Sequence, residues 1–513
     1  MSDARLRSAK WQRRLIHSPR AVIDIGSNTV RLVIYEGPGR APEVVWNEKV
    51  AARLGRDLAD TGRIPQEATD EALEALARYA LLLADRNVED VQTVATAATR
   101  DAENGAAFLA QVADLGLSPR QLSGEEEAIA SAMGAIGAFP GAKGVVADLG
   151  GGSLELVEIE RGAAREAVSL PIGTLRLPAL RGEGKFGKAI DKAFGQVGWQ
   201  ARAGGPLYMV GGTWRAFAHF AMRRAGHPLT DPHGFRLSAA EAERLAKILT
   251  KTAPAELETI AGISGMRAGY LPDAAALLRQ LLDRLEPTEL VFSSWGLREG
   301  LLYAGLSPLT KDLDPLLAAV HAFAEPRDAL VTDAARVAGW TVDVAGGDGR
   351  QNERLRLAAA HLSSALQRVE PNLRANHAAE WALDKRWIAC EPYERAMICA
   401  ALFGSLGRTD PPSALGSLAR SGDIREGTTW GLSFRLARRL GAGSSASLSM
   451  SRLRRKKKAL TLYLDESRAA LATDPLKREL GALADWVGRE PRIKIEAYDF
   501  ADPLDEIDET DED

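Results

Sequence analysis

The sequence is poor in cysteine. Its 513 residues include only Cys390 and Cys399, and two thiols in one helical window build neither a disulfide framework nor a zinc site. A reducing compartment, the cytoplasm, is therefore expected. Histidine is sparse too, and His17, His219, His227, His233, His321, His361 and His377 show no metal-ligand spacing. No apolar run approaches the roughly 20 residues that cross a bilayer, and the Arg-rich start lacks a signal peptide's apolar stretch, so no membrane association is expected. Charge of one sign is also missing. Sixty-five Lys plus Arg against 69 Asp plus Glu leave a net −4, which excludes a globally basic protein and gives no reason to expect a specific nucleic-acid partner. A G-x-S-x-G elbow, a P-loop and an H-E-x-x-H helix are all absent, so serine-nucleophile and zinc mechanisms have little support. What is present is 46% apolar residues, enough for real cores, and a length that predicts three or four domains at roughly 150 residues each.

Strand and helix patterns alternate through the first 300 or so residues, which indicates an α/β architecture. Ala21–Glu36 and Gly144–Glu160 each read as strand, glycine turn, strand. The spacing predicts a helix over 63–85 entered through Pro65, and another over 125–136. The two hairpins are an internal repeat: DIGSNTVRLV from Asp24 aligns with DLGGGSLELV from Asp148. The reading is two related lobes that each present one acidic hairpin to a shared cleft. From about Asp312 the strand patterns give way to Ala/Leu/Arg-rich helical windows. A Gly/Ser-rich break at 441–447 then precedes a final section with strands and a helix over 476–487.

Glycine turns allow close backbone approach and can aim several N–H groups at one phosphate. The candidates here are Ser27, Asn28 and Thr29 in the first hairpin and Gly151, Gly152 and Ser153 in the second. A third turn, Gly211, Gly212 and Thr213, stands between a strand and a helix. Asp24 and Asp148 repel phosphate, and their natural work beside it is to hold Mg²⁺. Ser123-Gly124-Glu125-Glu126-Glu127-Ala128 puts three acids at a helix start. One suffices for capping, and another could activate water, but periodicity does not say which faces inward. Arg100, at a strand end beside hydroxyl residues, is placed to bind phosphate or to sit in a surface ion pair.

The motifs DIGSNTVRL, TAATRDAEN, LSGEEEA, DLGGGSLEL, SLPIGTLRL, GGTWRA and SSWGLREGLL, in this order between Ala21 and Tyr303, resemble the exopolyphosphatase / guanosine pentaphosphate phosphohydrolase family of the acetate kinase–sugar kinase–Hsp70–actin superfamily. The resemblance implies two ribonuclease H-like lobes of the actin-like ATPase type around a cleft, over 21–135 and 136–308. It implies processive release of the terminal phosphate of inorganic polyphosphate, with Mg²⁺ and a monovalent cation such as K⁺ as cofactors, by a homodimer. It assigns Glu127 as the catalytic glutamate and Arg100 as the phosphate-binding arginine. It places Asp148 and Glu155 around the metal and water, with Glu155 also catalytic. Guanosine pentaphosphate or tetraphosphate is the alternative substrate. A sugar or acetate kinase and a non-catalytic polyphosphate or alarmone sensor are weaker rivals.

The long form of the family implies an α-helical HD-related domain over 312–410. Its metal motif is lost here, since Ala360-His361-Leu362-Ser363 and Asn376-His377 stand in its place. A small α+β section over 411–500 carries a basic track of Arg435, Arg438, Arg439, Arg452, Arg454, Arg455, Lys456, Lys457 and Lys458, expected to hold a long polyanion. A basic leader over 1–20 precedes these domains, and the acidic tail 501–513, a like-charge block, is expected to be disordered.

Overall fold

The computed structural model describes residues 18–182, 184, 186–199, 204–327, 331–345, 350–442 and 444–497. Nearly all of the basic leader and the whole acidic tail lie outside them. The chain forms two compact units that divide between Pro315 and Leu316. Among the described residues, no helix is long and apolar enough to cross a membrane.

The first unit is built on two mixed sheets. Strands β1 (Arg20–Ile25), β2 (Val30–Glu36), β3 (Glu43–Val50), β4 (Asp90–Ala95) and β5 (Pro119–Gln121) form one sheet in the order β3-β2-β1-β4-β5. Strands β6 (Gly144–Leu149), β7 (Leu154–Glu160), β8 (Ala163–Leu170), β9 (Leu207–Val210), β10 (Arg236–Ser238) and β11 (Glu289–Phe292) form the other, ordered β10-β11-β9-β6-β7-β8. Each sheet therefore carries an antiparallel meander (β1-β2-β3 and β6-β7-β8) whose first strand pairs in parallel with a later one, β4 or β9. That shared topology is the structural form of the repeat read in the sequence.

The helix expected over 63–85 runs Gln66–Asp85. Pro65 stands at its N-cap, and it lays Ala72, Leu76, Tyr79 and Leu83 on the first sheet. The Gly124–Ala138 helix packs its Ala128, Ala132, Ala135 and Ile136 into the core of the second sheet. It thus runs across position 135, where the sequence suggested that the first lobe ends. Its Ala130 also joins Leu301 and Leu302 of the Leu297–Ala304 helix against Val22, Val33 and Tyr35 of the first sheet. This helix pair is common ground for both sheets.

In the second unit, helices Arg350–Leu366 and Pro392–Ser405 build an alanine-rich core with Trp381, Trp387 and Trp430. Cys390 and Cys399 are buried and free, and burial pushes both thiols up to about 12. The Ser421–Gly441 helix places Trp430 and Phe434 in that core, and Leu432, Leu436 and Leu440 in a second one. The second core lies under β12 (Ser451–Arg455), β13 (Ala459–Asp465) and β14 (Glu490–Glu496) and includes Leu480 and Leu483 of the Asp474–Val487 helix. The helical part and the small sheet therefore share one helix, and no linker separates them at 410.

Candidate active site

The two repeat hairpins close in the same way. Gly26 N–H donates to Thr29 O at 3.0 Å, and Gly150 N–H donates to Ser153 O at 3.0 Å. Each turn is braced from outside by backbone. Gly55 N–H donates to Ser27 O at 2.8 Å in the first sheet, while Thr174 N–H reaches Gly150 O and Leu175 N–H reaches Gly151 O at 3.0 and 2.9 Å in the second. The turns meet each other. A Cβ on Gly152 would lie 2.9 Å from Ser27 Oγ and from Ala97 Cβ, so only glycine permits this approach. Gly211, with φ +108°, is the third turn, and a Cβ there would come within 2.9 Å of Asp148 Oδ1.

These turns line a cavity of about 350 Å³. Ser27, Asn28, Thr29, Gly151, Gly152, Ser153, Gly211, Gly212 and Thr213 all reach it, as do Asp24, Glu127, Asp148 and Glu155. The three acids of the helix start separate by role. Glu126 closes a capping box with Ser123 (3.1 and 2.8 Å) and Glu125 is exposed. Glu127 alone turns into the cavity.

Arg100 is not on the cavity wall. Its guanidinium donates to Leu122 O at 3.0 Å and to Glu127 Oε2 at 3.2 Å, and its other side neighbours Asp101. In this structure it is therefore a partner of Glu127, one step back from the phosphate-binding place that the family resemblance implies. Burial raises the Glu127 carboxyl to about 7 even though Arg100 pulls it down.

Asp148 and Glu155 stand directly opposite each other on β6 and β7. Ser131, one helical turn after Glu127, donates its hydroxyl to Asp148 Oδ2, and Ser169 Oγ donates to Glu155 Oε1 at 2.9 Å. Burial raises the pKa of both carboxyls, and for Glu155 the neighbouring Glu127 and Asp148 add to the rise. Among the described residues no three His, Cys, Asp or Glu side chains converge as a metal-holding group. Asp24, Asp148 and Glu155 thus make no three-carboxylate cage. An all-oxygen pair of carboxylates beside a phosphate cleft still fits Mg²⁺, which is commonly held by one or two carboxylates plus substrate phosphates.

Five cations that the sequence reading did not single out line the same cavity: Arg31, Lys49, Arg215, Arg267 and Arg298. Arg31, Arg215 and Arg298 lie inside quoted motifs, whereas Lys49 and Arg267 lie outside them. Burial and the neighbouring Arg267 and Arg298 push Arg215 down to about 9. Glu299, behind Arg298, accepts from Tyr35 Oη at 2.6 Å and from Gly296 N–H at 3.1 Å, which pins the Gly296 loop that lines the cleft.

The basic track of the second unit is partly engaged. Arg435 makes a two-pronged pair with Glu479 at 2.6 and 2.8 Å, and Arg439 shares that carboxylate at 3.6 Å. Arg438 donates to Ser405 O at 2.9 Å, and burial pushes it down to about 10. Arg454 pairs with Asp343 at 2.7 Å, and Arg452 is half-buried. Arg455, Lys456, Lys457 and Lys458, at the β12–β13 turn, are exposed, as is Arg439.

Residues 33–308 match the sequence profile of the Ppx/GppA phosphatase family. Exopolyphosphatase 2 of Mycobacterium tuberculosis is 40% identical over 169 residues, covering 31% of this chain and 53% of that protein. Exopolyphosphatase 1 of Mycobacterium bovis is 24% identical over 296 residues, covering 55% and 86%. The chain thus spans about half the length of the first of these relatives. The crystal structure of an exopolyphosphatase from Cytophaga hutchinsonii shares the fold, with a TM-score of 0.51 and 23% identity over 58% of this chain and 99% of that one.

Proposed function

We propose, from the premise that the chain belongs to the Ppx/GppA phosphatase family, that it hydrolyses the terminal phosphoanhydride of inorganic polyphosphate and releases orthophosphate. The observation that carries this is the placement of Glu127. It is the one acid of its helix turned into a cavity lined by three glycine turns, and it lies beside Asp148 and Glu155. The turns offer backbone N–H groups to the terminal phosphoryl, which needs positioning and charge neutralisation more than covalent help. Glu127 takes a proton from the attacking water as the bridging P–O bond breaks and the shortened chain leaves. Arg100 orients the Glu127 carboxylate, and Ser131 and Ser169 orient Asp148 and Glu155.

Asp148 and Glu155 would hold Mg²⁺, with Asp24 at the neighbouring hairpin. When bound, the ion neutralises charge on the phosphoryl oxygens. We place a monovalent cation such as K⁺, a homodimer, an HD-related origin for the helical region and a cytoplasmic setting in the same proposal, on the family resemblance.

Purified full-length chain, given long-chain polyphosphate and guanosine pentaphosphate in parallel with and without Mg²⁺, tests the reading. Mg²⁺-dependent phosphate release from polyphosphate is expected. Release from guanosine pentaphosphate alone would transfer the assignment to that substrate, and failure on both would sink it.

A further inference from the structure

The hairpins of the repeat carry equivalent cross-strand rows that have diverged in charge. On the second sheet, Asp148, Glu155 and Ser169 stand side by side across β6, β7 and β8. On the first, the same positions across β1, β2 and β3 are Asp24, Arg31 and Lys49. One row runs from carboxylate to carboxylate to a hydroxyl that holds it. The other runs from carboxylate to two cations placed opposite each other.

Like charges directly opposite on an antiparallel pair are destabilising, and here nothing among the described residues relieves the outer one. Arg31 has Asn47 Oδ1 at 2.7 Å and Asp24 beside it. The neighbouring Glu48 turns to the other face of β3 and is taken by Arg78 at 2.7 Å. Lys49 has no ion-pair or side-chain hydrogen-bond partner among the described residues. Arg267, on the first turn of the Gly265–Leu285 helix, has none either. Its guanidinium lies against Gly212, where a Cβ would come within 2.7 Å of Nη2. All three cations line the one cavity, and the Lys49 ammonium is held below its usual pKa by burial first and then by Arg267 and Arg31. Unpaired cations gathered around one cavity are a standing cost that an anion removes.

We propose that Lys49 and Arg267 form a second anion subsite, at the edge-strand end of the cleft. It takes a phosphate further along the chain than the one being hydrolysed, and so sets discrimination between longer and shorter phosphate chains. The identity of that chain rests on the function proposed above; the subsite itself rests on the cation row.

Titration calorimetry on the full chain in EDTA, with tripolyphosphate and with orthophosphate as probes, tests it without turnover. Lys49→Ala is expected to weaken tripolyphosphate at least about fivefold and orthophosphate less than about twofold, with Lys49→Arg restoring binding. Arg267→Gln is expected to act in the same direction, and Arg267→Lys to recover part of the loss without opening the contact at Gly212. Equal weakening of both probes, no weakening of either, or no tripolyphosphate binding by the unmodified chain would overturn the subsite. Failure of the proposed function would look different: tripolyphosphate bound and sensitive to Lys49, but no phosphate released from polyphosphate with Mg²⁺.

Discussion

Arg100 and Glu127 are an ion pair at 3.2 Å, with the arginine anchored on Leu122 O and the glutamate facing the cleft. In the proposed mechanism Arg100 therefore acts on the carboxylate that would take the water's proton. Glu127 works as a base only when ionised, and burial has lifted it to about 7. Activity should fall as the pH drops through about 7. Arg100→Gln removes the charge that opposes the rise, so the acidic limb of the kcat profile should move to higher pH. A limb that stays in place, with only KM changed, would return Arg100 to direct phosphate binding.

Glu127→Gln keeps the shape of the side chain and removes its basicity. Turnover should drop at least about a hundredfold, the usual scale for loss of a general base, while the melting temperature stays close to that of the parent. Near-normal phosphate release from the purified variant would exclude Glu127 from proton transfer.

Gly211→Ala tests the contact between the third turn and Asp148. The residue has φ +108° and its Cβ would press on Leu149 O at 2.8 Å and Asp148 Oδ1 at 2.9 Å. A loss of about 1–3 kcal/mol in stability is expected, together with loss of phosphate release. Gly116→Ala, where φ is also positive at +81° but a Cβ meets nothing within 4 Å, is the matched control. Urea denaturation and phosphate release measured on both variants would show whether the contact matters.

Replacing Arg455, Lys456 and Lys457 together by alanine should weaken binding of long polyphosphate and make what remains less salt-sensitive, because these cations are exposed at the β12–β13 turn. Tripolyphosphate hydrolysis should be spared. Equal losses on long and short chains would remove the turn from substrate binding. Arg435 and Arg439 are poorer targets, since Glu479 already holds them.

Much of the site is local chemistry and could be read along the chain. The two hairpins, their glycine turns and the Gly-Gly-Thr turn are short patterns whose residues do their work within a few positions of each other. The capping box at Ser123 and Glu126 is equally local, yet the choice of Glu127 over its neighbours came from family resemblance. Periodicity places all three acids on one helix start without saying where the cavity lies. Arg100 could be located but not aimed, because its partner is 27 residues away.

The sequence alone determined the α/β class, the repeat and the glycine turns, because strand alternation and glycine turns are properties of neighbouring residues. Only the tertiary structure decided that the repeat's two rows have opposite electrostatic characters. Asp24, Arg31 and Lys49 become a row through the register of three strands, and Arg267 joins them from a helix more than 200 positions further on. It also decided that Arg435 and Arg438, equal in charge to the lysines that follow them, are spent inside the fold. A charge's effect depends on what lies within a few ångströms of it, and strand register and helix packing set that distance.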